Sequence, residues 1–487
     1  MNDSQFYAQG DVRGLVVGPD SQKSISVVIA KPTRVCNADC SYCSSPPLEE
    51  MGADWEPEWN FELFRVYFDK VFPQMINGGV WIWHGGEPML MQPEFYWKTF
   101  EYAKQKMNES KKTIYFSMQT NLLGYNKKWK KVFEEIFNGS ISTSFDPDEV
   151  NRTIKGNAEV YSKVFRRVLG EVLDDGFKPM VLGTYKEETA HLMNKMYDWS
   201  LSMGEKSFPL RFNYCHPTGR IGDGNEAILP ETYGGALIEL YNRWIKDTPN
   251  FTITPLDIMF KKVIGIDGAG HCPWTKDCGG KFLGIEPDGD VYNCTDFADL
   301  GSQYKFGNLK DMSLEQILKS KQSIQIRRRG AQLPMSCFEC EHFNDCEGGC
   351  ARDSALYNHG LYGKFHYCKS WKMVFARIKE SILLGQADKI IKKYNQDPSV
   401  IKKNLEVQLN NKFHDFSISW EDVMSNGFKN QYGIGDNLNN FNSVSNYNDL
   451  GEFLPNKKVE IKYKNEIKSE KKYKINKKLN AIKINIV

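Results

Sequence analysis

The 487-residue chain has no run of eighteen apolar residues, so the main sequence sign of a membrane-spanning helix is missing. Its first residues, Met1-Asn2-Asp3-Ser4-Gln5-Phe6, carry no basic stretch followed by an apolar one and do not read as a secretory signal. Charge of one sign is missing too. The 63 Lys and Arg against 61 Asp and Glu leave a formal +2, which gives no electrostatic case for nucleic acid as a partner. No internal repeat is found. These absences predict a cytoplasmic protein that binds neither membrane nor nucleic acid. In that compartment thiols stay reduced, and a cysteine-rich chain binds metal more often than it forms disulfides.

What the chain does have is cysteine in two groups. Cys36, Cys40 and Cys43 share one short segment, while Cys272, Cys278, Cys294, Cys337, Cys340, Cys346, Cys350 and Cys368 form a second set, and only Cys215 stands apart. Three thiolates on one loop suit an iron–sulfur cube that keeps one iron free of protein ligands. Eight more suffice for two cubes with four cysteines each.

Hydrophobic periodicity predicts strands at residues 24–30, 80–83, 113–118, 141–145, 180–185 and 210–214. Helical patterns lie between them, at 60–72, 94–106, 128–137, 160–173 and 190–203. Phe61, Phe64, Phe68 and Val71 mark one face of the first helix, and Pro73 its end. Strands joined by helices imply a parallel α/β sheet, because parallel neighbours need crossover connections. The chemically suggestive segments sit at the C-terminal ends of the strands, the side on which such sheets carry their sites. A helix follows at 230–246. The cysteine-rich stretch then contains Glu286-Pro287-Asp288-Gly289-Asp290, which reads as the turn of a hairpin. Another helix is predicted at 373–384. The remainder turns polar and lysine-rich, reading mostly as a solvated tail with a possible edge strand after Lys457. The expected divisions are 1–23, an N-terminal segment; 24–250, the α/β part; 265–372, the iron–sulfur part; and 373–487, a C-terminal extension.

The C-x3-C-x2-C spacing of Cys36, Cys40 and Cys43, with Tyr42 before the last cysteine, follows directly on the first predicted strand. A zinc site would want a fourth ligand, for which His84 is the available histidine. The loop resembles that of the radical S-adenosylmethionine superfamily. The resemblance implies a partial (β/α)6 barrel. It also implies a cube whose open iron takes the amino and carboxylate groups of S-adenosylmethionine, and a 5′-deoxyadenosyl radical made by one-electron cleavage. Further segments match in order. In Trp83-His84-Gly85-Gly86-Glu87-Pro88, the backbone of Gly85 and Gly86 together with Glu87 would hold the cofactor's amino group. Gln119-Thr120-Asn121 closes the third strand, with Gln119 a cofactor contact. In Ser142-Thr143-Ser144-Phe145-Asp146, Ser144 would touch the cofactor, and Arg152 would pair with its carboxylate.

The second group, C-x5-C-x15-C and then C-x2-C-x5-C-x3-C-x17-C, is similar to the SPASM domain, a module that holds auxiliary clusters. By that resemblance Cys272, Cys278, Cys294 and Cys350 hold one cube, and Cys337, Cys340, Cys346 and Cys368 the other, for three [4Fe-4S] clusters in all. Paired zinc sites are the alternative, since thiolate spacing alone does not separate the metals. Relatives of this kind modify peptides, drawing electrons from a donor such as flavodoxin or ferredoxin. Sulfatase-maturating enzymes place an aspartate, the proposed base, directly after the cysteine matching Cys294. Here Thr295 holds that position and Asp296 follows; with His84 where those enzymes frequently have glutamine, and the Cys43-Ser44-Ser45-Pro46 continuation, the resemblance favours a crosslink (carbon–carbon, ether or thioether) in a ribosomally made precursor peptide. Asp296 and His84 are the catalytic candidates. The alternatives are formylglycine formation by a sulfatase maturase and, outside catalysis, an iron–sulfur carrier or sensor. The 35 residues before Cys36 are too few for a leader-recognition domain, which leaves residues 385–487 and their lysines as a surface for an acidic leader.

Overall fold

The structure is a computed structural model, described here over residues 25–52, 57–221, 227–266, 272–275, 278–357 and 360–411. These all fall in the unit Met1–Gly433. The predicted tail features, including the edge strand after Lys457, lie outside the described residues.

Six parallel strands follow one another in chain order across a single sheet: β1 Ile25–Ala30, β2 Met75–Trp83, β3 Ile114–Thr120, β4 Ile141–Ser144, β5 Met180–Tyr185 and β6 Leu210–Tyr214. Helices Phe61–Val71, Gln92–Ser110, Lys127–Glu135, Ala158–Asp174 and Met193–Ser202 make the crossovers. Side-chain caps fix where several of them start. Asn60, Asn126 and Asn157 each accept a backbone N–H from the first turn. The first helix buries Phe64, Tyr67, Phe68 and Val71 against β2, where Phe64 meets Trp81 edge-on at a centroid distance of 5.9 Å.

β2 starts five residues earlier than its apolar pattern suggests. Ile25 of β1 pairs with Met75, but Val27 already pairs with Val80, so the intervening residues bulge out. Gly78, at φ +82°, supplies the left-handed turn. The helix predicted at 190–203 begins as a tight 3-10 turn, Glu187–Leu192, before becoming α-helical.

A short seventh strand, β7 Ile253–Thr254, extends the sheet beside β6. On the other edge the sheet continues into the cysteine-rich region. There β8 Phe282–Ile285 pairs in parallel with β1, and the predicted hairpin returns as β9 Asp290–Tyr292, with β10 Gly307–Asn308 outermost. Periodicity could not show this join, because the partners are some 255 residues apart (Val27 with Phe282). The long helix Cys368–Leu383 packs along Pro230–Asp247. A Cβ on Gly234 would lie 2.9 Å from the Ser370 Cα, and Tyr241 and Ser381 hydroxyls are 2.6 Å apart. Cys368 is thereby tied to a barrel helix. No helix among the described residues is long and apolar enough to cross a membrane.

Candidate active site

The C-terminal ends of β1 to β6, or the segments that follow them, converge on one cavity of about 360 Å³. Cys36, Cys40 and Cys43 line it together with His84, Gly85, Gly86, Gln119, Ser144, Arg152 and Asp296, so residues spread over 260 positions meet in one place. Tyr42 lines it as well.

The cysteine loop is clamped from several sides. Asp39–Cys40 forms a two-residue ladder with Arg152–Thr153. The Arg220 guanidinium donates to the Cys40 carbonyl at 3.0 Å, and the Arg220 N–H to that of Cys43 at 2.9 Å. Gly86 N–H donates to Thr33 and Glu87 N–H to Val35, which seats the Gly-Gly turn on the backbone leading to Cys36. A Cβ on Gly86 would stand 2.2 Å from the Arg34 carbonyl oxygen. The close approach that requires glycine here is thus to the cysteine loop itself, whereas the sequence suggested approach to a ligand.

Glu87 is corrected by the structure. Its carboxylate does not line the cavity. It is buried and accepts from Thr120 Oγ1 at 2.6 Å, Met89 N at 2.8 Å and Asn121 N at 2.7 Å. Three of the carboxylate's roughly four lone-pair sites are committed to tying the end of β2 to that of β3. Asn121 passes the constraint on, donating to Asn37 Oδ1 at 2.6 Å and approaching Cys36 Sγ at 3.9 Å.

Arg152 is also shared. Its Nε donates to Asp146 at 2.8 Å, Tyr42 donates its hydroxyl to the same carboxylate, and its Nη1 lies 3.7 Å from Cys40 Sγ. Burial works against the Arg152 charge, but Asp146, Tyr42 and Cys40 outweigh it and keep the guanidinium protonated. Gln119 donates to Ser144 at 2.9 Å and accepts from Ser142, which orients both cavity-lining side chains.

His84 Nδ1 accepts the Gly85 N–H at 2.8 Å, so the neutral ring carries its proton on Nε2. Burial, aided by Lys31, lowers its pKa to about 4. At neutral pH it is a donor rather than a base. Asp296 presents 56% of its side chain and sits 3.2 Å from the buried Arg352 guanidinium. Although burial opposes its charge, Arg352 and the neighbouring His216 and Lys31 bring its pKa down to about 2. The one-residue offset from Cys294 therefore does not take the acid out of the cavity. The hydroxyl-bearing Thr295 is the one turned inward, 4% exposed.

The eight remaining cysteines separate in space. Cys337, Cys340, Cys346 and Cys368 surround one small cavity. Cys272, Cys278, Cys294 and Cys350 are within electrostatic reach of one another, with Cys272 and Cys350 in the wall of the large cavity. Trp371 lies in both walls. Burial pushes Cys36, Cys272 and Cys346 up to about 12, so metal must displace protons to bind them. Among the described residues, no three His, Cys, Asp or Glu side chains converge on a point fit for one metal ion. A tetrahedral zinc site needs thiolates at about 2.3 Å from a common centre. Cys215 is buried at the end of β6, in the cavity wall.

Sequence reasoning missed Arg220 and Arg352, gave His216 no role, and placed Asn121 only at the end of the third strand. Arg352 left a trace in lying two residues beyond Cys350. It also missed the buried ion pairs joining the first loop to the cysteine-rich region: Lys31 with Glu286 at 2.9 Å and Arg34 with Glu286 at 2.8 Å, Asp299 lying 3.5 Å from Arg34.

Residues 272–341 match the family model described as SPASM, iron–sulfur cluster-binding domain. A serine-type anaerobic sulfatase-maturating enzyme from Bacteroides thetaiotaomicron is 25% identical over 410 residues, covering 78% of this chain and 97% of that protein. A cysteine-type counterpart from Clostridium novyi is 23% identical, covering 73% and 95%. The solved structure of native anSMEcpe with bound AdoMet and Cp18Cys peptide superposes with a TM-score of 0.62 at 24% identity, covering 75% of this chain and 99% of that one. The three-cysteine loop, the cysteine-rich module that extends its sheet and these likenesses agree: this chain carries a SPASM-type iron–sulfur module at residues 272–341 and is similar over most of its length to the anaerobic sulfatase-maturating enzymes.

Proposed function

We propose that the protein is a maturase that oxidises a side chain of a peptide or protein substrate by hydrogen abstraction, a serine side chain being taken to the aldehyde, or a cysteine side chain to the thioaldehyde, which water hydrolyses to the aldehyde with release of sulfide. The observation that carries this reading is Asp296. The displacement of the acid by one position was one of the grounds for a crosslink, and a place for Asp296 in the cavity wall beside Arg352 supports the maturase reading instead.

In this reading Cys36, Cys40 and Cys43 hold the first [4Fe-4S] cluster, and the two groups of four hold auxiliary clusters, three in all. Bound S-adenosylmethionine and the clusters supply the hydrogen-abstracting radical and the acceptor for the electron left on the substrate. The chain's own residues do the rest. The backbone of Gly85 and Gly86, with Gln119 and Ser144, would form the polar wall for S-adenosylmethionine, and Arg152 would pair with its carboxylate. Tyr42, held by Asp146, stacks near the Arg152 guanidinium at 5.4 Å and keeps water from the loop. Asp296 takes the hydroxyl or thiol proton of the substrate. A pKa near 2 makes it a weak base, sufficient for a proton acidified by an adjacent radical centre, and Arg352 keeps it charged and aimed. His84 donates from Nε2. An external one-electron donor of the flavodoxin or ferredoxin type supplies reduction.

The test is anaerobic incubation of the iron- and sulfide-loaded protein with S-adenosylmethionine, reductant and candidate peptides containing serine or cysteine. Formation of 5′-deoxyadenosine together with a hydrazide-reactive peptide supports the proposal. Loss of two hydrogens without hydrazide reactivity assigns the crosslink instead. Full iron loading with no 5′-deoxyadenosine leaves the carrier or sensor reading.

A further inference from the structure

Arg329 is a buried cation without an acid. It is 4% exposed, donates from Nη1 to the Leu361 and Gly363 carbonyls at 2.5 and 3.0 Å, and from Nη2 to the Gly348 carbonyl at 2.9 Å. The other buried arginines are paired: Arg34 with Glu286, Arg352 with Asp296 and Asp353. Among the described residues no carboxylate comes within ion-pair distance of Arg329. Burial lowers its pKa, and the groups that partly offset this are Cys350 and Cys278 from one set of four, and Cys337 and Cys346 from the other. Its anchor Gly348 lies between Cys346 and Cys350, where the chain passes from one set to the other.

A buried charge without a counter-charge is costly. Protonated thiols do not provide one, whereas cysteines ligating metal are thiolates and do. From this placement we infer that Arg329 is the shared counter-ion of the two auxiliary clusters and sets the reduction potential of both. The inference rests on the proposed assignment of two four-cysteine clusters. A fixed positive charge favours the more negative, reduced form of each cluster, so it raises both potentials.

The experiment uses the full chain carrying Cys36→Ala, Cys40→Ala and Cys43→Ala, so that only auxiliary clusters remain, with redox titration followed by electron paramagnetic resonance. Iron and sulfide analysis comes first: fewer than two clusters per chain in this background overturns the assignment itself, independently of Arg329. With two clusters present, Arg329→Gln shifts both midpoints negative by at least the equivalent of a tenfold change in the reduced-to-oxidised ratio, about 59 mV for one electron. Arg329→Lys keeps the charge while losing the planar fork, and holds both midpoints within that margin. Unchanged potentials in Arg329→Gln, or a shift in one cluster only, overturn the inference. Should Arg329→Gln fail to fold, Arg329→Met is titrated in its place against the same margin, and unchanged potentials or a shift in one cluster only again overturn the inference.

Discussion

Glu87→Gln separates two roles for the Gly-Gly-Glu segment. If Glu87 bound S-adenosylmethionine directly, the change would cost cofactor affinity and leave the fold untouched. The structure predicts the reverse order of effects. Oε1 accepts from both Thr120 and Met89 while Oε2 accepts from Asn121 alone, so a glutamine fits best with its oxygen at the first position. Its amide nitrogen then faces the Asn121 N–H, donor against donor. Leaving one buried donor unsatisfied costs about 1–3 kcal/mol. Glu87→Ala strands all three donors and costs several kcal/mol on the same scale. Because Asn121 also steadies Asn37 and Cys36, both variants loosen the first cysteine loop, alanine more than glutamine. The assay is urea unfolding of the metal-free protein, followed by iron loading at the first site. Glu87→Gln with an unchanged unfolding midpoint and lost S-adenosylmethionine binding would refute the reasoning and restore the direct contact.

Three further outcomes are expected. Asp296→Asn retains 5′-deoxyadenosine formation but lowers modified peptide by roughly 10²- to 10⁴-fold, the range for a lost proton acceptor; parallel chromatography of the two products checks it. Gly86→Ala drives a methyl group into the Arg34 and Val35 carbonyls, 2.2 and 2.3 Å from its Cβ, so iron analysis should show the first cluster lost while auxiliary iron remains. Burial, with Arg352, lowers His216 to about 4. The unfolded chain, with a histidine pKa near 6.5, then binds the extra proton between those values, so this contribution is intact above pH 6.5 and lost as pH falls through 4. Stability at pH 5 should be about 2 kcal/mol below that at pH 7 through this group, and His216→Gln should remove that slope in urea titrations.

Local patterns determined a good deal. The alternation of β-prone runs with amphipathic helices specified six parallel strands, because each crossover must bury one apolar face, as Phe64, Phe68 and Val71 do in the first. Cysteine spacing specified which chemistry to expect, since ligand type and count are written in the chain. Tertiary structure alone decided what those residues do. The pairing of β1 with β8, which brings Asp296 and Cys350 to the same cavity as Cys36, depends on hydrogen bonds between segments some 255 residues apart and leaves no periodic signal. Glu87 reads as a ligand in a motif and becomes a strand tie once Thr120 and Asn121 are folded against it. Asp296, one position off in register, still faces the cavity because the short helix Thr295–Ala298 turns Thr295 inward and the acid out. Arg329 carries no motif at all. Its meaning comes from burial between two groups of thiols, and burial of a charge is a property of the folded chain.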